Sequence, residues 1–142
     1  MPVAVSLATS PFAPGLQQDL ARVYADSPEF SSPEEAATVL EGAVAAGETL
    51  YTGLFNGRHI AAVLVRGEGL VRRMRYLCVH DATRGRGVAE RLVAEVRRLE
   101  AAQGTEWLEA DFDLTQEGVP EMLLAMGFIP HGQGNYRCLL TA

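Results

Sequence analysis

The sequence predicts an α+β domain, with one mixed, mostly antiparallel sheet flanked by helices. Three observations carry this. Segments with a two-residue apolar period and segments with a helical period follow one another as strand, two helices, three strands, helix, strand, helix, two strands. The dipeptide Asn56-Gly57 sits between two strand-like runs, where its tolerance of positive φ suits a two-residue hairpin turn. The chain has 142 residues, 48% of them hydrophobic, enough for one domain with one sizeable core. Residues 1–142 are therefore expected to form a single domain.

The elements follow in order. "VAVSL" near the start alternates apolar and small polar residues, as a half-buried strand does. Residues 15–25 place Leu16, Leu20, Val23 and Tyr24 on one helical stripe, ended by "DSP". In "SSPEEAATVLEGAVAAGE", Ser32 caps free amides, Pro33 fits the first helical position, Glu35 completes a capping box and Gly47 is a stop. "TLYTGLF" and "HIAAVLVRG" form the hairpin about Asn56-Gly57, and "GEG" at 67–69 turns the chain into "LVRRMRYLCVH". Strict alternation in that third strand puts Val71, Arg73, Arg75, Leu77 and Val79 on one side. A helix over 87–102 carries Val88, Leu92, Val96 and Leu99 and ends at Gly104. "TEWLEADFD" then sets Leu108, Ala110 and Phe112 against Trp107, Glu109 and Asp111. "EGVPEMLLAMGF" reads as a short helix stopped by Gly127, and "FIPHGQGNYRCLL" as a last hairpin.

Composition narrows the function. A net charge of −6 argues against nucleic acid and anionic membrane surfaces as partners. The chain shows neither a long apolar run nor a basic leader, so we expect no membrane span and a cytoplasmic location. Cys78 and Cys138 are far apart, and His59, His80 and His131 are scattered, so no metal site is expected. All twelve basic residues are arginine, and eight lie between residues 72 and 98. Arg97 and Arg98 suit a solvated helix face, whereas Arg84 and Arg86 suit an anion.

The surroundings explain the second reading. In "CVHDATRGRGVAERL" a strand ends, a turn containing Gly85 and Gly87 follows, and a helix begins whose first amides have no carbonyl partners. Glycines let a ligand approach the backbone closely, and arginines add charge-assisted hydrogen bonds. This is the chemistry of a phosphate site, with a run of open main-chain amides expected between Thr83 and Ala89. A dinucleotide fingerprint fails at Glu90, which stands in place of the third glycine. A Walker loop fails because the chain has no lysine.

"RGRGVA" resembles the Gln/Arg-x-x-Gly-x-Gly/Ala signature of the GCN5-related N-acetyltransferase (GNAT) superfamily, with "LCV" before it and "AMGF" near the C terminus. The resemblance implies the GNAT fold and acetyl-CoA as cofactor. It implies a pyrophosphate on Arg84, Gly85, Arg86, Gly87, Val88 and Ala89, and a pantetheine arm beside Leu77, Cys78 and Val79. "DLARVY", "YTGLFNGRHIAAVLV", "WLEAD", "MLLAMGF" and "GQGNYRC" further resemble the PanZ (PanM) group, whose members sense acetyl-CoA and mature aspartate decarboxylase.

Two functions follow. One is transfer of acetyl from acetyl-CoA to an amine by direct attack; the alternative is a sensor of PanZ type that regulates aspartate decarboxylase. Many members of the superfamily carry a tyrosine as general acid four residues before the glycine of "GF", where this chain has Leu123. No catalytic residue is assigned. Glu109 and Asp111, with Asp113 beyond, read either as a place for a cationic amine or as a solvated strand edge. Tyr136 reads as a strand aromatic or as a group entering the site. Asn56 reads as a hairpin turn or, by the narrower resemblance, as a residue near the cofactor.

Overall fold

The computed structural model describes residues 3–112, 118–132 and 135–140. Its elements keep the expected order: β1 (Ala4–Leu7), α1 (Pro14–Val23), α2 (Pro33–Ala45), β2 (Thr49–Phe55), β3 (Arg58–Arg66), β4 (Val71–Val79), α3 (Val88–Ala102), β5 (Trp107–Asp111), α4 (Val119–Ala125), β6 (Ile129–Pro130) and β7 (Tyr136–Leu139). The strands make one sheet in the order β1-β2-β3-β4-β5-β7-β6. Every pairing is antiparallel except β4 with β5, which α3 connects as a crossover.

Local chemistry sets the boundaries. Ser32 Oγ accepts from the Glu35 amide at 3.1 Å, and the Glu35 carboxylate reaches back to the Ser31 amide at 3.1 Å, one residue short of a regular capping box. Asn56 and Gly57 take φ of 50° and 75°, as the hairpin requires. Helix α1 ends at Val23, sooner than the stripe suggested, and Tyr24 becomes its cap, 1% exposed.

The sheet separates two apolar layers. On one side α3 and α4 bury Val88, Leu92, Val96 and Leu123 against Met74, Leu77 and Leu108; on the other α1 and α2 bury Leu20, Val23 and Leu40 against Leu50, Leu64 and Cys78. Strand β3, covered on both faces, is apolar nearly throughout. Leu99 is only half-buried, and the next residue, Glu100, is fully buried instead. Its carboxylate accepts from Tyr51 Oη at 2.6 Å and Thr105 Oγ1 at 2.9 Å, and lies 3.4 Å from Arg72 Nε. Burial, then this carboxylate, holds the Tyr51 phenol above its ordinary pKa.

Strand β4 corrects the alternation read from the sequence. Tyr76 has φ of 59°, in the left-handed region, and the β3 register slips between Ala62 and Leu64. The extra residue is a β-bulge. Arg73 and Arg75 pair with Glu109 and Asp111 on the face where Tyr76 and Cys78 pack with α1 and α2. Leu77 and Val79 turn to the opposite face and join Met74 under α3. The five residues expected on one side are thus divided.

Candidate functional site

The bulge and the parallel pair together create a cleft. Strands β4 and β5 pair from Val71↔Trp107 to Arg75↔Asp111, and β5 then ends. Tyr76, Leu77, Cys78 and Val79 run on with no partner on that side among the described residues. A backbone so exposed can hydrogen-bond an extended ligand that carries amides. The Tyr24 hydroxyl, fully buried, donates to the Tyr76 carbonyl and fixes the bulge from α1.

Beyond Val79 the chain makes a 3-10 turn over Asp81–Thr83 and enters α3 through Gly85 and Gly87, with φ of 79° and 76°. The Thr83 amide donates to the His80 carbonyl and the Arg84 amide to the Asp81 carbonyl. This narrows the expected run of open amides, since those two are used by the protein itself. The first α3 bond is Arg91 N–H to the Gly87 carbonyl at 3.1 Å, and the amides of Gly85 through Glu90 have no protein acceptor among the described residues. A Cβ placed on Gly85 or Gly87 would meet nothing within 4 Å, so the backbone fronts open space. The resulting cavity is about 350 Å³, walled by Leu77, Cys78, Val79, Arg84, Gly85, Gly87, Val88 and Ala89.

Of the nine residues proposed from the sequence, Arg86 alone does not line this cavity; it is exposed beside the turn. Arg84 is at the wall but engaged. Its guanidinium donates two hydrogen bonds to Asp26, at 2.7 and 2.8 Å, and Nε donates to the Val79 carbonyl at 2.9 Å. These bonds hold the Asp26 carboxyl below its usual pKa and raise that of Arg84. The same arginine partly opposes the effect of burial on Cys78, whose thiol is pushed up to about 11 and stays protonated at neutral pH.

Sequence reasoning missed Glu90, Gly118, Val119 and Met122, which complete the wall together with Thr83. Gly118 caps the start of α4 with φ of 84°, and Pro120 follows at the head of the helix. Asp26 gave no signal, since it meets Arg84 from 58 residues away. Leu123 is fully buried in the core, with no polar atom to offer. Glu109 is held by Arg73 at 3.0 Å and Asp111 lies 3.6 Å from Arg75, on an inner strand and not at an edge. Tyr136 is half-buried against the core, and Asn56 occupies the hairpin turn. Asp113 lies outside the described residues.

Comparison with known proteins places this geometry. No curated protein sequence matches the chain. Solved structures share the fold: Tetrahymena GCN5 is 16% identical with a TM-score of 0.76, covering 97% of this chain and 96% of its own. An N-acetyltransferase from Staphylococcus aureus is 16% identical with a TM-score of 0.73, covering 99% and 100%. The PaiA N-acetyltransferase from Thermoplasma acidophilum, solved with coenzyme A, is 9% identical with a TM-score of 0.76, covering 98% and 99%. The family profile described as acetyltransferase (GNAT) domain, PanZ, matches residues 7–137. That span holds both helical layers, the cleft and nearly all of the sheet, and the chain belongs to the PanZ acetyltransferase (GNAT) domain family.

Proposed function

We propose that this cleft binds acetyl-CoA. The observation that carries the reading is the run of amides from Gly85 to Glu90, open at the mouth of a cleft whose wall is the unpaired end of β4. The residues fit the group: α3 presents the positive end of its dipole to a pyrophosphate, the two glycines leave room for it, and Leu77–Val79 offer backbone groups to the pantetheine amides. Arg86, exposed and without a side-chain partner among the described residues, can meet a phosphate directly, whereas Arg84 does so by exchanging Asp26 for it. The bound thioester supplies an activated acetyl group. What the chain contributes to transfer onto an amine is position: strand amides beside the bulge orient the thioester and stabilise charge on its carbonyl.

A second use of the same site is favoured by Leu123. With an aliphatic core residue at that position, and burial making the Cys78 thiol a weaker acid than usual, the described wall offers no group suited to protonate a departing thiolate. Occupancy then serves as a signal to a protein partner, and the family's association with aspartate decarboxylase makes that enzyme the candidate. Calorimetric titration with acetyl-CoA, followed by a turnover assay against a panel of amines, tests both uses. Binding with turnover supports transfer, binding without turnover supports sensing, and absence of binding overturns both. Co-purification with aspartate decarboxylase in the presence of acetyl-CoA tests the partner.

A further inference from the structure

The two faces of the sheet are not covered alike. Helices α1 and α2 take Leu50, Ala62, Leu64 and Cys78 from the sheet into their cluster, and no residue of β5 or β7. Registered partners point to the same side of a sheet, so side chains beyond that cover can be followed strand by strand. One row runs Arg66↔Arg73↔Glu109↔Arg137↔Ile129, and the next runs Val71↔Trp107↔Leu139. Both rows stand bare among the described residues: Val71, Leu139 and Ile129 are 46%, 41% and 54% exposed.

The charge on this face opposes that of the whole chain. Arg66, Arg73 and Arg75 line a recess of about 440 Å³ with Glu109; Arg73 pairs with Glu109 at 3.0 Å and Arg66 lies 3.6 Å from Glu48. Arg75 Nε lies 3.6 Å from Asp111, beyond hydrogen-bond reach, and Arg137 stacks over the Trp107 ring at 3.9 Å with no ion pair among the described residues. In a protein of net charge −6, the guanidinium groups of Arg66, Arg73, Arg75 and Arg137 meet three carboxylates here, Glu48, Glu109 and Asp111. Strands lie about 4.8 Å apart, so the charged row is roughly 15 Å or more across, the scale of a polypeptide segment. A nucleic-acid backbone would gain nothing from the apolar row.

We propose that this bare face docks an acidic segment of a partner protein. Its carboxylates lie over the arginine row, and its aliphatic side chains lie on Val71, Trp107 and Leu139. The proposal stands apart from acetyl-CoA binding, because none of these residues lines the cofactor cleft.

Trp107 is the single tryptophan of the chain, so its emission reports occupancy of this face. The probe is a short synthetic peptide alternating Glu with Leu or Val, compared at low salt with its Gln counterpart. The acidic peptide is expected to shift the emission saturably, and the Gln peptide to bind about tenfold more weakly. In the double variant Arg73→Glu, Arg75→Glu, affinity is expected to fall by about tenfold or more, and in Arg73→Gln by roughly threefold, with circular dichroism verifying the fold of each. The milder variant keeps the test valid if charge reversal disturbs the strand. No emission change, equal affinity for both peptides, or undiminished binding in Arg73→Gln would overturn the proposal. So would an oligothymidylate binding as tightly as the acidic peptide, or a dimer seen by sedimentation that Arg73→Gln dissolves.

Discussion

Gly87 has two physical roles. At φ of 76° any L side chain is strained there by about 1 kcal/mol, yet a Cβ meets no neighbour within 4 Å, so the fold tolerates a substitution that the ligand does not. Gly87→Glu is expected to leave a folded protein with no heat of acetyl-CoA binding, because its carboxylate takes the anion's place; undiminished affinity would refute the site. Arg86→Ala is expected to weaken coenzyme A by about 1–3 kcal/mol while sparing unphosphorylated pantetheine. Equal losses for the two ligands would remove Arg86 from phosphate binding. The glycines and the arginines at 84 and 86 were legible because turn chemistry is local. The grip of Asp26 on Arg84 was not, since a contact between distant chain positions leaves no periodic trace.

Strand β4 shows what element-level patterning can miss. Apolar period fixed the number, type and order of the elements, and Ser32, Gly47, Asn56 and Gly104 fixed several of their ends. The same reading misassigned the faces of β4, because one inserted residue at Tyr76 inverts every side chain after it. That inversion sends Leu77 and Val79 toward α3 while Arg73 and Arg75 stay on the opposite face. Tyr24 is what holds it. Tyr24→Phe strips a half-buried carbonyl of its donor and is expected to cost about 1–3 kcal/mol in urea denaturation. It is also expected to weaken acetyl-CoA, since Leu77–Val79 follow directly; a loss of stability with unchanged affinity would separate the bulge from the cleft.

At the scale of the molecule, stability depends on a charge placed where the sequence pattern called for none. Glu100 ends the apolar stripe of α3 fully buried, hydrogen-bonded by Tyr51 and Thr105 and 3.4 Å from Arg72 Nε. Removing one member strands the others: Glu100→Ala is expected to cost about 3–5 kcal/mol in chemical denaturation, leaving Arg72 without its charge partner. A loss below 1 kcal/mol, at the level of an exposed pair, would show the network to be hydrated. The half-zipped junction of β4 and β5 has its own outcome. Apart from the Tyr76 and Val79 carbonyls, which Tyr24 and Arg84 hold, the peptide groups past Arg75 that lack a strand partner are adhesive, and a stray strand can close them as a thioester arm can. Free coenzyme in the buffer then acts as a guard against clumping: the empty protein is expected to aggregate on warming at lower temperature than the filled one, as light scattering would record.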